Sequence, residues 1–134
     1  MAPLMLVDPA TGRLRAAAGG SGGPRILTAL LSVLSRLVES GDAPLAAIAA
    51  PRLHHQLVPD TVYAEDWTAG GLAARVPAST RAALAARGHS VAAAGWGAAV
   101  QAVLVSEDGQ VLEAASDPRK DGAPAAEKGK EDKA

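Results

Sequence analysis

Two short stretches near the start of the chain, Leu4–Asp8 and Arg13–Ala18, flank Pro9-Ala10-Thr11-Gly12. Proline and glycine at those positions mark a tight turn, so the pattern predicts a β-hairpin. Gly19-Gly20-Ser21-Gly22-Gly23 ends the second strand, and Pro24 then occupies a first helical position, where its missing N–H costs nothing. From Arg25 to Glu39 the period changes: Ile26, Leu27, Leu30, Leu31, Val33, Leu34, Leu37 and Val38 recur at helical spacing until Gly41 stops the run. A second, short helix is expected from Asp42 as N-cap to about Ala50, ending before Pro51. Residues 52–60 read as a loop and Thr61–Asp66 as a short strand. Pro77-Ala78-Ser79-Thr80 opens a third helix that closes at Gly88. Two last strands, about Ala98–Ser106 and Val111–Ala115, are joined by a turn carrying Asp108-Gly109. The order β-β-α-α-β-α-β-β implies an α+β fold with hairpins rather than a doubly wound parallel sheet.

Composition narrows the picture. The 134 residues suffice for one domain and include 32 Ala, 14 Gly and no Phe. A core must therefore come from Leu, Val, Ile and Ala, which bury little area each, so the chain is expected to lean on a partner surface. A net charge of −1, with no clustered basic face, argues against nucleic acid as a partner. With no cysteine, disulfides, thiolate zinc sites and Cys nucleophiles are all excluded. The longest apolar run, Ile26–Leu37, is interrupted by Thr28, Ser32, Ser35 and Arg36. It falls short of the roughly 20 residues needed to span a membrane. No signal peptide is read in residues 1–20, and a soluble chain is expected. All four Lys residues fall at or after Lys120. The stretch from there to Ala134 has no Leu, Ile or Val, so residues 1–119 are expected to fold and 120–134 to form a disordered charged tail.

Gly19–Arg25, GGSGGPR, is the most informative segment for chemistry. A glycine loop feeding a helix N-terminus offers backbone N–H groups to an anion. A P-loop requires Gly-Lys-Ser/Thr, whereas Gly23 is followed by Pro24 and Arg25, and the dinucleotide fingerprint lacks its acidic residue. Two readings remain: an oxyanion hole made by the N–H groups of Gly22 and Gly23, or a plain strand-to-helix turn. Adjacent His54 and His55 point in different directions and cannot chelate one ion together, and His89 lies in another element, so no metal or cofactor is expected. Asp117-Pro118-Arg119 offers either an ion pair or a capping turn.

Several segments, taken in order, resemble the C-terminal part of the light chain of the γ-glutamyltransferases, also called glutathione hydrolases. Met1-Ala2-Pro3 is similar to the end of that family's Ser-Ser-Met-x-Pro-Thr stretch, with Leu4 in place of Thr. Gly19–Ile26 is similar to its Gly-Ser-Pro-Gly-Gly-x-x-Ile loop. Ala49-Ala50-Pro51-Arg52-Leu53-His54-His55-Gln56 resembles its Ala-Pro-Arg-Phe-His-His-Gln signature. Gln101 falls in a strand like the family's Gln-Ser-Ile strand, and Ala115-Ser116-Asp117-Pro118-Arg119 resembles its Ala-Ser-Asp-Pro-Arg.

The resemblance implies part of a four-layer αββα sandwich of the N-terminal-nucleophile hydrolase type. There the N-terminal Thr of a self-cleaved light chain attacks the γ-glutamyl amide of glutathione, its own α-amine serving as base. The Gly-Gly pair of the family, matching Gly22 and Gly23, holds the tetrahedral oxyanion. The resemblance also implies a heavy chain, or a full-length relative, as partner. Complete members are anchored outside the plasma membrane, periplasmic or secreted. The departures point the other way. The Thr nucleophile and the Ser pair that contact the glutamyl group have no counterpart in these residues, and Gly20-Ser21 replaces the family's Ser-Pro. The expectation is therefore a truncated family member, inactive as an isolated chain, with a non-catalytic light-chain-like partner as the alternative.

Overall fold

The computed structural model describes residues 2–69, 71–95 and 97–125. Among them the expected first hairpin is β1 (Ala2–Val7) and β2 (Leu14–Ser21). Asp8 closes its turn, its carboxylate accepting from the amides of Ala10 and Thr11 at 2.9 and 2.8 Å. β2 runs past Gly19 and Gly20, which the sequence reading assigned to the loop. A Cβ on Gly20 would lie 3.0 Å from Ile26 Cγ2 and 3.5 Å from Leu30 Cγ. Glycine there lets the following helix, α1 (Ile26–Val38), lie close on the strand.

The short helix α2 (Pro44–Ala49) follows, but Asp42 does not cap it. Ala43 holds the N-cap position, and the Asp42 carboxylate pairs with Arg36 at 2.6 Å. The segment expected to be a loop holds a two-residue strand, β3 (Leu53–His54). The single strand expected at Thr61–Asp66 is longer, β4 (Val62–Ala69), and is followed by β5 (Leu72–Arg75). α3 (Ala78–Ala85) is succeeded by a strand that periodicity did not reveal, β6 (Val91–Ala94). The last hairpin is β7 (Ala99–Val105) and β8 (Leu112–Ala115). The expected order β-β-α-α-β-α-β-β thus gains three strands, while the α+β class stands.

Two sheets result. The first is antiparallel, in the order β1-β2-β7-β8; in the second β4 pairs antiparallel with β3 and β5 and parallel with β6. α1 and α2 cover one face of the first sheet. The core between them joins Leu30, Val33, Leu37 and Ile48 to Val100 and to six alanines, at positions 18, 29, 47, 98, 102 and 115. More than half of that cluster is therefore alanine, which contributes little buried area per residue. The other face of the sheet carries no helix among the described residues. Met5, Ala17, Val103 and Ala114 lie in register across it, and Met5 is 71% exposed.

The chain turns after β8 into a single 3₁₀ turn, Pro118–Lys120. Lys120 thus belongs to an ordered turn, and its ammonium donates to Ser21 Oγ at 3.0 Å. Of the stretch expected to be a disordered tail, residues 126–134 lie outside the described residues. Among the described residues no helix is long and apolar enough to cross a membrane.

Candidate functional site

Gly22 and Gly23 stand where β2 gives way to the 3₁₀ turn Gly23–Arg25 and then to α1. Both have positive φ, 142° and 60°. Only glycine adopts such angles without steric cost, so the bend is written into the sequence. Space selects glycine at the first position as well. A Cβ on Gly22 would overlap the Gly97 carbonyl oxygen and lie 2.6 Å from Ala98 Cα. At Gly23 a Cβ would meet nothing within 4 Å. The turn is held from behind by its own carbonyls: Arg25 N–H donates to Gly22 O at 3.3 Å and Ile26 N–H to Gly23 O. Among the described residues the N–H groups of Gly22 and Gly23 meet no acceptor. Two successive donors unpaired among the described residues, at the 3₁₀ turn that leads into α1, favour a negatively charged oxygen.

The wall against which Gly22 rests is fixed by a buried group of four charges. Arg52 donates to the Ala98 carbonyl at 2.9 Å, to the Ile48 carbonyl at 2.6 Å and to Asp117 Oδ2 at 2.9 Å. Asp117 Oδ2 also accepts from the Val100 amide at 2.8 Å, while its Oδ1 accepts from the Arg119 amide and guanidinium at 3.1 and 3.0 Å. Arg119 reaches on to Glu65 and to the carbonyls of Ile48 and Ala50, with its guanidinium 4.3 Å from the centre of the Trp67 ring. Glu65 closes the circuit by accepting from the Arg52 amide at 3.0 Å. Two cations and two carboxylates balance, as burial demands. Burial still pushes the Arg52 guanidinium below its usual pKa, Arg119 adds to that, and Asp117 and Glu65 oppose it. Asp117-Pro118-Arg119 is thus both of the things left open for it, ion pair and capping turn.

The histidines separate as their adjacency requires. His54 points inward, with Nδ1 2.8 Å from Thr28 Oγ1 on α1, Nε2 3.0 Å from Gln56 Oε1, and its ring stacked on Tyr63. His55 faces outward to Asp60 at 3.1 Å and lies edge-on to His89. Between α1 and the second sheet lies a cavity of roughly 20 Å³ bounded by Arg25, Thr28, His54, Tyr63 and Glu65. That is room for one water and not for a substrate. Thr28 and Glu65 carry no local sequence signal: each acquires its partner from a distant segment, 26 and 54 residues away.

With this geometry in place, comparison with known proteins decides the family. The model of the gamma-glutamyltranspeptidase family matches residues 1–127. The chain belongs to this family. It is 33% identical to glutathione hydrolase 3 of Arabidopsis thaliana over 94% of the chain and 23% of that relative. It is 37% identical to the glutathione hydrolase proenzyme of Pseudomonas aeruginosa over 81% of the chain and 18% of that relative. The chain thus spans about a fifth of the length of the curated family members it matches. The solved gamma-glutamyltranspeptidase of Pseudomonas nitroreducens, complexed with L-DON, superposes with a TM-score of 0.77 at 31% identity, over 96% of this chain and 62% of the solved one. The fold is accordingly part of the N-terminal-nucleophile hydrolase architecture of the gamma-glutamyltranspeptidases, an α+β arrangement in which helices cover one face of a sheet.

Proposed function

We propose that these residues form the C-terminal part of the light chain of a γ-glutamyl-transferring amidase, with Gly22 and Gly23 as its oxyanion cradle. The observation that carries this reading is the pair of successive positive-φ glycines at the strand-to-helix junction, both amides free of acceptors among the described residues. In the reaction, a hydroxyl oxygen bonds to the γ-glutamyl carbonyl carbon and the C=O electron pair moves onto oxygen. The two amides stabilise that charge. As the carbonyl re-forms, the C–N bond breaks and a proton passes to the departing amine. Water or an acceptor amine then takes the acyl group.

These 134 residues supply the cradle and not the attacking group. No Thr in them matches the family's nucleophile, and the small cavity beside Arg25 and Thr28 has no room for a substrate. The nucleophile and the glutamyl contacts come from outside these residues, and residues 1–134 alone do not turn over γ-glutamyl substrates. On this reading residues 1–119 belong to the light-chain fold, and Lys120 joins them through its contact with Ser21. Purified chain is tested against a γ-glutamyl anilide beside a chimera in which it replaces the matching part of the P. aeruginosa proenzyme. Release of the aniline by the chimera and not by the chain supports the reading; turnover by the chain alone refutes it.

A second reading has its own support. The face of β1-β2-β7-β8 that carries no helix among the described residues has Met5, Ala17, Val103 and Ala114 in one apolar row, the kind of surface on which a second sheet packs. A heavy chain, or a full-length relative, is the occupant that fits, so the chain docks there as a non-catalytic partner. Recovery of the chain bound to a co-expressed full-length relative favours this role; recovery as a monomer counts against it.

A further inference from the structure

The hydrogen bonds around His54 leave few ways to place the protons. Gln56 Nε2 donates to the Val58 carbonyl at 3.0 Å, which fixes the amide and turns Gln56 Oε1 toward His54 Nε2 at 3.0 Å. An amide oxygen only accepts, so Nε2 carries the hydrogen. In the neutral ring Nδ1 is then a lone pair, and the Thr28 hydroxyl, 2.8 Å away, donates to it. That hydroxyl is also 3.1 Å from the Arg25 carbonyl, another pure acceptor, and it has one proton for two acceptors.

We propose that Gln56, His54 and Thr28 form a directed hydrogen-bond relay that anchors the first turn of α1 behind the Gly22-Gly23 amides, which makes His54 a positioning residue. Arg25, whose carbonyl competes for the Thr28 hydroxyl, donates its own amide to Gly22 O, and Ile26 donates to Gly23 O. The relay therefore ends two residues from the cradle. His54 is 8% exposed and Tyr63 stacks on its ring, so both ring nitrogens find their partners within the protein. The charges around the same small cavity are Arg25 from the turn, Arg52 before β3 and Glu65 of β4. The relay takes its meaning for catalysis from the proposed function, but its geometry is measurable without any chemistry.

The test is NMR on the full ¹⁵N-labelled chain at neutral pH. Long-range ¹H–¹⁵N correlations are expected to show His54 protonated at Nε2 and bare at Nδ1. Thr28→Val, which removes the hydroxyl and keeps the shape, is expected to quicken amide exchange at Arg25 and Ile26 about fivefold. Exchange in β7, at Val103, stays unchanged, and Thr28→Ser restores the slow rates. Acceleration spread equally over β7 means general destabilisation and overturns the relay. So does an Nδ1–H tautomer, or a Thr28→Val variant with wild-type exchange at Arg25 and Ile26. If Thr28→Val fails to fold, the tautomer of the unsubstituted chain still decides. Failure here leaves the oxyanion assignment standing, because no step of the measurement depends on turnover.

Discussion

Arg52 and Asp117 are 65 positions apart in the chain, and their side chains meet at 2.9 Å in a site where Asp117 is 0% and Arg52 4% exposed. Through this pair Asp117 holds Arg52, whose guanidinium takes the Ala98 carbonyl, in the segment whose Gly97 carbonyl and Ala98 Cα face Gly22. The grip is structural and electrostatic together: Asp117 receives four hydrogen bonds, two from guanidinium groups and two from backbone amides.

Removing one member of a buried ion pair leaves the other uncompensated. Asp117→Ala strands Arg52, leaves Arg119 with Glu65 alone, and is expected to cost about 3–5 kcal/mol. A small domain has roughly 5–15 kcal/mol in total, so the variant should unfold at far lower urea than the parent. A loss below about 1 kcal/mol would show that the four-charge group does not hold this end of the fold.

The two cradle glycines should respond unequally to alanine. Gly23→Ala meets open space and carries mainly the left-handed backbone cost, about 1–2 kcal/mol. Gly22→Ala adds contact with backbone atoms of Gly97 and Ala98 that cannot swing aside. Its cost should exceed that of Gly23→Ala by at least about 1 kcal/mol. Denaturant midpoints of the two variants give the order directly, and equal losses would contradict the packing described.

Two hairpin turns add acid sensitivity. The Thr11 amide and hydroxyl, then the Ala10 amide, hold the Asp8 carboxyl below its usual pKa; the Ser106 hydroxyl, then the Gln110 amide, do the same for Asp108. A carboxyl whose folded pKa is depressed binds fewer protons folded than unfolded, so stability rises with pH in that range. The contribution is complete above the unfolded value of about 4 and fades as pH falls through the lower folded values. Thermal midpoints measured from pH 6 to pH 3 should therefore drop more steeply for the parent than for Asp8→Asn/Asp108→Asn. Parallel curves would remove these turns from the account.

Legibility in the sequence followed the range of the interactions. The outer hairpins and α1 were readable because Pro9, Gly12, Asp108, Gly109 and the apolar spacing of residues 26–38 act locally. β5 and β6, LAAR and VAAA, carry almost no alternation, and β6 is a strand only because Val62–Glu65 pairs parallel beside it. Asp42 has the chemistry of a cap, yet Arg36 near the end of α1 takes its carboxylate first. At the site, Gly22 and Gly23 fell at the junction because positive φ singles out glycine. Of the buried group, the Asp117–Arg119 pair is local and was open to sequence reading, whereas Arg52 and Glu65 join it only in the finished fold.

The central proposal is that the two glycine amides carry the negative oxygen of an acyl-transfer reaction completed by residues other than these 134. The most direct measurement replaces the Gly23 N–H by an ester oxygen, in the chimera with the P. aeruginosa proenzyme, and follows turnover of a γ-glutamyl anilide. Loss of one donor should lower kcat about 10²–10³-fold, while the same exchange at Gly41 leaves it within about twofold. An unchanged kcat at Gly23, in a chimera that is otherwise active, would contradict the account.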